Sequence, residues 1–270
     1  MPHANANGIQ IAYEVRGSGP PLLLINGFRR SRLAWQEGFL RPLAARFRLV
    51  LMDNRGTGHS DKPQDGYSVE AFADDSAGLL QALGIPRAHV FGVSMGGMIA
   101  QRVATRHPEQ VQGLGLGCTH CGGKAAIAGE RRIWELLRML PTAERDAREV
   151  ARLQEEAYYM PEFRAANRPY LDCLFDLQNQ NPTPTHAVQG HAKAIDAFDG
   201  SADLERIHAP TLVLTGDSDP LIPPANSRLI AQRIPGARLE ILPHASHLFW
   251  IEKPQEAANA VIRFFESCGA

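Results

Sequence analysis

Short apolar runs and longer amphipathic ones alternate along most of this chain. Ile9, Ile11, Tyr13 and Val15 are spaced by polar or small residues, the period-two pattern of a half-buried strand. Leu22–Ile25, Leu49–Met52, Ala88–Val93 and Val111–Leu116 are almost wholly apolar, as suits strands covered on both faces. Between them the period lengthens to that of a helix. Trp35, Phe39, Leu40 and Leu43 predict a short helix. Phe72, Leu79, Leu80 and Leu83 share one face of a helix over 69–83, and Met98–Arg106 reads as a third.

Near residue 122 the rhythm changes. From Glu130 to about Phe198 there is no strand pattern. Instead Ile133, Leu136, Leu137 and Leu140 mark one helical face, and Val150, Leu153 and Ala157 another. Pro161, Pro169 and the run Asn181-Pro182-Thr183-Pro184 cut this stretch into pieces. Strand and helix then return: Thr211–Thr215, a helix through Ser227 to Ile234, Leu239–Leu242, and a closing helix from Pro254 to Ser267. Such alternation predicts an α/β protein with a mostly parallel central sheet and helices on both faces. Residues 1–121 and 205–270 are expected to form the core domain, and 122–204 a helical insertion.

Composition narrows the function. With 270 residues, 44% of them hydrophobic, the chain can bury a sizeable core. Its formal charge of −1 gives no electrostatic footprint for nucleic acid or an anionic membrane, so the expected partner is a small-molecule substrate. No apolar run approaches the roughly 18 residues of a membrane-spanning helix. The start, Met1-Pro2-His3-Ala4-Asn5, lacks a basic-then-apolar signal, and the expected compartment is the cytoplasm. The four cysteines are scattered; Cys118 and Cys121 form a C-x-x-C pair with no second pair at zinc spacing. Reduced thiols are expected, with no metal site and no cofactor. Nothing in the sequence sets the oligomeric state.

The chemistry is read from the strand ends, because ligands of open parallel sheets sit beyond the carboxyl ends of the strands. Val90–Val93 runs into Gly92-Val93-Ser94-Met95-Gly96, a Gly-x-Ser-x-Gly turn that lifts a serine hydroxyl above the sheet. Gly216-Asp217-Ser218-Asp219-Pro220 follows the strand 211–215, and Pro243-His244-Ala245-Ser246-His247 follows the last strand. Nucleophile, acid and base thus occur in the order serine, aspartate, histidine. The remaining histidines, among them His59, His120, His186 and His191, read as surface or locally hydrogen-bonded residues. Arg29, Arg30 and Arg32 read as a solvated patch near the mouth of the site, and an arginine there can bind a substrate carboxylate.

Taken together, Gly92-Val93-Ser94-Met95-Gly96-Gly97, Gly216-x-x-Asp219-x-x-x-Pro223, His247-Leu248-Phe249-Trp250-Ile251-Glu252-Lys253-Pro254 and Asp53-Asn54-Arg55-Gly56-x-Gly58-x-Ser60 resemble the α/β-hydrolase fold along nearly the whole chain. The resemblance implies Ser94 as nucleophile, His247 as general base and Asp219 as its orienting acid, with the backbone N–H groups of Phe28 and Met95 as oxyanion hole. The spacing from Gly216 and Pro223 favours Asp219 over Asp217 as that acid. The insertion corresponds to the family's cap, which roofs the site. Trp134, Leu137, Tyr158 and Phe175 from it, with Leu248 and Arg29 from the core, are the expected substrate contacts. One departure is Asn26-Gly27, where the family usually has His-Gly; that histidine is mostly structural.

The reaction implied is hydrolysis of a small carboxylic ester, lactone or thioester. Within the fold the alternatives are a C–C bond hydrolase or enol-lactonase of aromatic degradation, and a cofactor-free haloperoxidase-like perhydrolase. A non-catalytic ligand receptor on the same scaffold is the alternative of a different class.

Overall fold

A computed structural model describes residues 1–269. Its strands are His3–Ala6 (β1), Ile9–Arg16 (β2), Pro21–Ile25 (β3), Arg48–Met52 (β4), Ala88–Val93 (β5), Val111–Gly117 (β6), Thr211–Gly216 (β7) and Arg238–Leu242 (β8). They form one eight-stranded sheet in the order β1-β2-β4-β3-β5-β6-β7-β8. Every pairing from β4 to β8 is parallel; β1 and β2 add antiparallel at one edge. The expected α/β architecture is therefore the one observed. The hairpin strand β1 has no hydrophobic alternation to announce it, and joins by backbone pairing from His3↔Ala12 to Ala6↔Ile9.

The helices are Glu37–Ala44 (α1), Val69–Ala82 (α2), Met95–Arg106 (α3), Arg131–Leu137 (α4), Ala147–Gln154 (α5), Pro161–Ala166 (α6), Arg168–Gln178 (α7), Thr185–Ala197 (α8), Pro224–Arg233 (α9), Phe249–Glu252 (α10) and Pro254–Ser267 (α11). The strands β5 and β7 are buried along their whole length, which explains their mostly apolar character, with His89, Thr211 and Thr215 the polar exceptions. α3 begins at Met95, three residues before its apolar pattern, because Gly96 and Gly97 carry no side chain to register a helical period. Under the sheet, Trp35 packs against Phe39 (5.5 Å between ring centroids) and Trp250 (5.3 Å), joining the segment after β3 to α10.

The helices α4–α8 all lie between β6 and β7. The insertion is pinched at its base: Gly122 bridges Asp199, and the Gly200 N–H donates to the Cys121 carbonyl at 2.7 Å. The loop after β4 is tied into the core by its charged side chains. Asp53, fully buried, accepts from the Arg32 backbone N–H (2.7 Å), the Arg32 guanidinium (2.8 Å) and the His59 N–H (2.9 Å). Arg55 makes a two-pronged bond to Asp75 of α2, both contacts 2.6 Å. Arg32 and Arg55 are thus tied into the scaffold. The expectation that Arg32 lies in a solvated patch is corrected: its own position after the Ser31 turn drives it inward onto Asp53.

Candidate active site

Ser94 sits where β5 turns into α3 with a single residue between them. Its backbone is at φ 56°, ψ −123°, a region that non-glycine residues rarely enter. Strain of this kind costs about 1–3 kcal/mol and persists only where the surroundings enforce it. They do so here. The Ser94 N–H donates to the Gly117 carbonyl (2.9 Å), and its own carbonyl accepts from the Gly97 N–H (2.9 Å) and the Thr119 hydroxyl (2.8 Å). The flanking glycines are required by contact: a Cβ on Gly92 would lie 2.0 Å from the Gly96 carbonyl oxygen, and one on Gly96 2.2 Å from that of Ile25.

His247 follows β8 and is 2% exposed. Its Nδ1 lies 2.7 Å from Asp219 Oδ2. A carboxylate can only accept, so Nδ1 carries the proton and Nε2 is left as a lone-pair base. The other oxygen of Asp219 accepts from the Leu221 and Ile222 N–H groups, both at 2.9 Å, which fixes the plane of the carboxylate. Asp217 faces another way: it accepts from the Ser218 hydroxyl (2.8 Å) and, more distantly, from the Ala245 N–H (3.4 Å). Burial works to raise its pKa, but these hydrogen bonds outweigh that and hold it below the ordinary value. Glu252 braces the histidine loop from behind, accepting from the Ser246 N–H and from the Met160 N–H of the insertion, each at 2.6 Å.

Ser94 and His247 line one small hollow of about 20 Å³, together with Gly27, Phe28, Tyr158 and Trp250. The N–H groups of Phe28 and Met95 donate to no other group among the described residues. The turn carrying Phe28 is held from within by Asn26, whose amide donates to the Ser31 carbonyl (3.1 Å) while its oxygen accepts from the Gly27 N–H (3.2 Å). Asn26 thereby does by hydrogen bonding what a structural residue at this place must do.

The turn is also held from above. Arg29, at φ 52°, donates its N–H to Nδ1 of His191 at 3.2 Å, and its carbonyl accepts from the Thr183 hydroxyl at 3.0 Å. His191 lies on α8 and is fully buried, so it is no surface residue; sequence reading could not see this because its partners come from three distant segments. Nδ1 accepts, so Nε2 carries the proton and donates to the Arg55 carbonyl at 2.9 Å. Burial pushes the His191 pKa down to about 4, and the ring is therefore neutral at physiological pH. His120, beside the site, is also lowered to about 4, by burial first and then by the neighbouring His247; its Nδ1 accepts from the Gly122 N–H at 3.0 Å.

The expected substrate contacts separate into groups. Leu137, Tyr158 and Leu248 line the Ser94 hollow. Leu221 and Trp250 line it as well and were not anticipated, since nothing in their local pattern distinguishes them from core residues. Arg29 and Phe175 line a larger cavity of about 410 Å³ within the insertion. Trp134 lines a third hollow of about 630 Å³, whose lining does not include Ser94 but shares Leu221 with the Ser94 hollow; the Arg138 guanidinium stacks on its ring at 5.6 Å. Among the described residues no group of three or more His, Cys, Asp or Glu side chains is placed to hold a metal ion.

Residues 20–254 match the family model of the alpha/beta hydrolase fold, and the chain belongs to that family and is a hydrolase. It is 31% identical, over all of its length and 98% of the relative's, to RutD of Azorhizobium caulinodans, provisionally named a carbamate hydrolase. A hydrolase structure from Pseudomonas aeruginosa superposes with a TM-score of 0.83 at 31% identity, covering 99% of this chain and 97% of the other. The enol-lactonase of Burkholderia xenovorans superposes at 0.84 with 26% identity, covering 98% of this chain and all of that one.

Proposed function

We propose that this protein cleaves a small carboxylic ester, lactone or thioester by an acyl-enzyme route through Ser94, His247 and Asp219. The observation that carries the reading is the strained Ser94, lifted to the rim of the hollow that also contains His247, itself bonded to Asp219. A serine hydroxyl attacks poorly until a base removes its proton. Nε2 of His247 takes that proton as Oγ adds to the substrate carbonyl, and the buried Asp219 stabilises the imidazolium that forms. The carbonyl electron pair moves to oxygen, and the free N–H groups of Phe28 and Met95 donate hydrogen bonds to that oxyanion. The pair then returns, the bond to the leaving group breaks, and His247 hands it the proton. A water repeats the sequence in reverse to free the acid. Residues 122–204 act as the cap over this site, contributing Leu137 and Tyr158 to its wall.

Ser94→Ala tests the reading on an activated aryl ester. Triads stripped of a member retain about 10³–10⁴-fold acceleration over water, so the folded variant should lose nearly all turnover. An active-site phosphonate should also label wild type once and leave the variant unlabelled. Turnover of Ser94→Ala within about tenfold of wild type would overturn the assignment.

A further inference from the structure

The 410 Å³ cavity of the insertion is lined by apolar side chains, among them Val150, Leu171, Leu174 and Val188, and also by Arg29, Arg30, Glu155 and Gln178. The basic residues around it are otherwise occupied. Arg168 holds Glu155 in a two-pronged bond, both contacts 2.7 Å. Arg148 pairs with Asp176 and stacks on Phe175 at 4.6 Å. Arg30 donates to Gln178 and lies over the Tyr158 ring at 4.5 Å. Arg29 is different: among the described residues its guanidinium makes no hydrogen bond and no ion pair. An arginine cannot shed its charge by losing a proton at any accessible pH. Arg29 is half-buried, so its guanidinium, partly desolvated and without an anion, is placed to gain from a bound one.

The cavity adjoins the reaction site. Arg30 and Tyr158 line both the cavity and the Ser94 hollow, so the two spaces adjoin at these side chains. Arg29 follows Phe28 directly, so the free guanidinium is anchored one residue from the proposed oxyanion donor. Its backbone is pinned on both sides, by His191 and Thr183, which keeps that relation fixed.

Resting on the serine-hydrolase reading, we propose that the substrate carries an ionised carboxylate that pairs with Arg29, joined to the scissile carbonyl by an apolar chain that fills the insertion cavity. A carboxylate suits the planar fork of the guanidinium, and the aliphatic lining suits the chain.

The test compares p-nitrophenyl half-esters of glutaric, adipic and suberic acid with the same compounds capped as methyl esters at the far end. Hydrogen bonds to charged groups contribute about 1.5–3 kcal/mol, so wild type should favour the free acid at its best chain length by about 10- to 150-fold in kcat/KM. Arg29→Met should bring that ratio close to one, and Arg29→Lys should keep part of it, which guards against a merely misfolded variant. A second readout needs no turnover: adipate should bind Ser94→Ala by calorimetry and fail to bind Ser94→Ala/Arg29→Met. A wild-type ratio near one, or a ratio unchanged in Arg29→Met, overturns the proposal even if all the esters are hydrolysed. If neither form of ester is hydrolysed while adipate still binds through Arg29, the carboxylate site stands and the ester reading fails.

Discussion

Acid should loosen this fold through its buried histidines, and the share of one of them, His191, can be worked from the structure. In the native state Nδ1 of His191 accepts from the Arg29 N–H, so protonation there must break that bond and leave a charge among Phe28, Tyr67 and Phe72, whose rings lie 6.3, 5.7 and 5.0 Å away. Burial lowers the folded pKa from 6.5 to about 4. Between those values the unfolded chain binds the proton and the native chain does not, so stability rises with pH across this window and falls as pH is lowered through it. The full difference corresponds to about 3 kcal/mol, most of it lost by pH 4.5, against a total of about 5–15 kcal/mol for a typical domain. The perturbation is His191→Gln, which keeps a hydrogen-bond acceptor and a donor but does not titrate. Urea unfolding of both proteins at pH 7.5 and 4.5 is the assay. His89 and His120, also held near 4 by burial, are present in both and cancel in the comparison. Wild type should lose about 2–3 kcal/mol more than the variant between the two pH values. Equal losses within about 0.5 kcal/mol would show that His191 is not held neutral, and the account of the pinned turn would fail with it.

Two further tests bear on the site. Asp219→Asn should keep the geometry but favour the wrong imidazole tautomer, lowering turnover of an activated ester by up to about 10⁴-fold, whereas Asp217→Asn should chiefly lower the unfolding midpoint; an inactive Asp217 variant beside an active Asp219 variant would reverse the assignment. Leu137→Ala should change the acyl-length profile because Leu137 lines the Ser94 hollow, and Trp134→Ala, facing a separate hollow, should not; the reverse result on an ester panel would relocate the pocket.

Much of this was legible in the chain itself. Strands such as β5 and β7 declare themselves because burial on both faces favours a nearly continuous apolar run. The insertion declares itself because a parallel sheet cannot continue through a stretch without such runs. Ser94, Asp219 and His247 stand out for a related reason. The sharp turn demands Gly92 and Gly96, and the strand order puts the acid and the histidine after β7 and β8. These are local demands, and local demands leave local marks.

The tertiary structure decided everything that depends on what distant segments bring to one point. Arg29, Arg30 and Arg32 are near-identical in sequence, yet Arg32 turns inward onto Asp53, Arg30 lies on Tyr158, and Arg29 is left without an anion. His191 looks like any helical histidine until α8 lays it across Phe28, Phe72 and the carbonyl of Arg55. Trp134 and Leu137 are three residues apart on one short helix, and still face different hollows. A side chain's type and spacing set what it can bond to. Which partner it finds is set by packing among elements far apart in the chain, and no local pattern of residues records that choice.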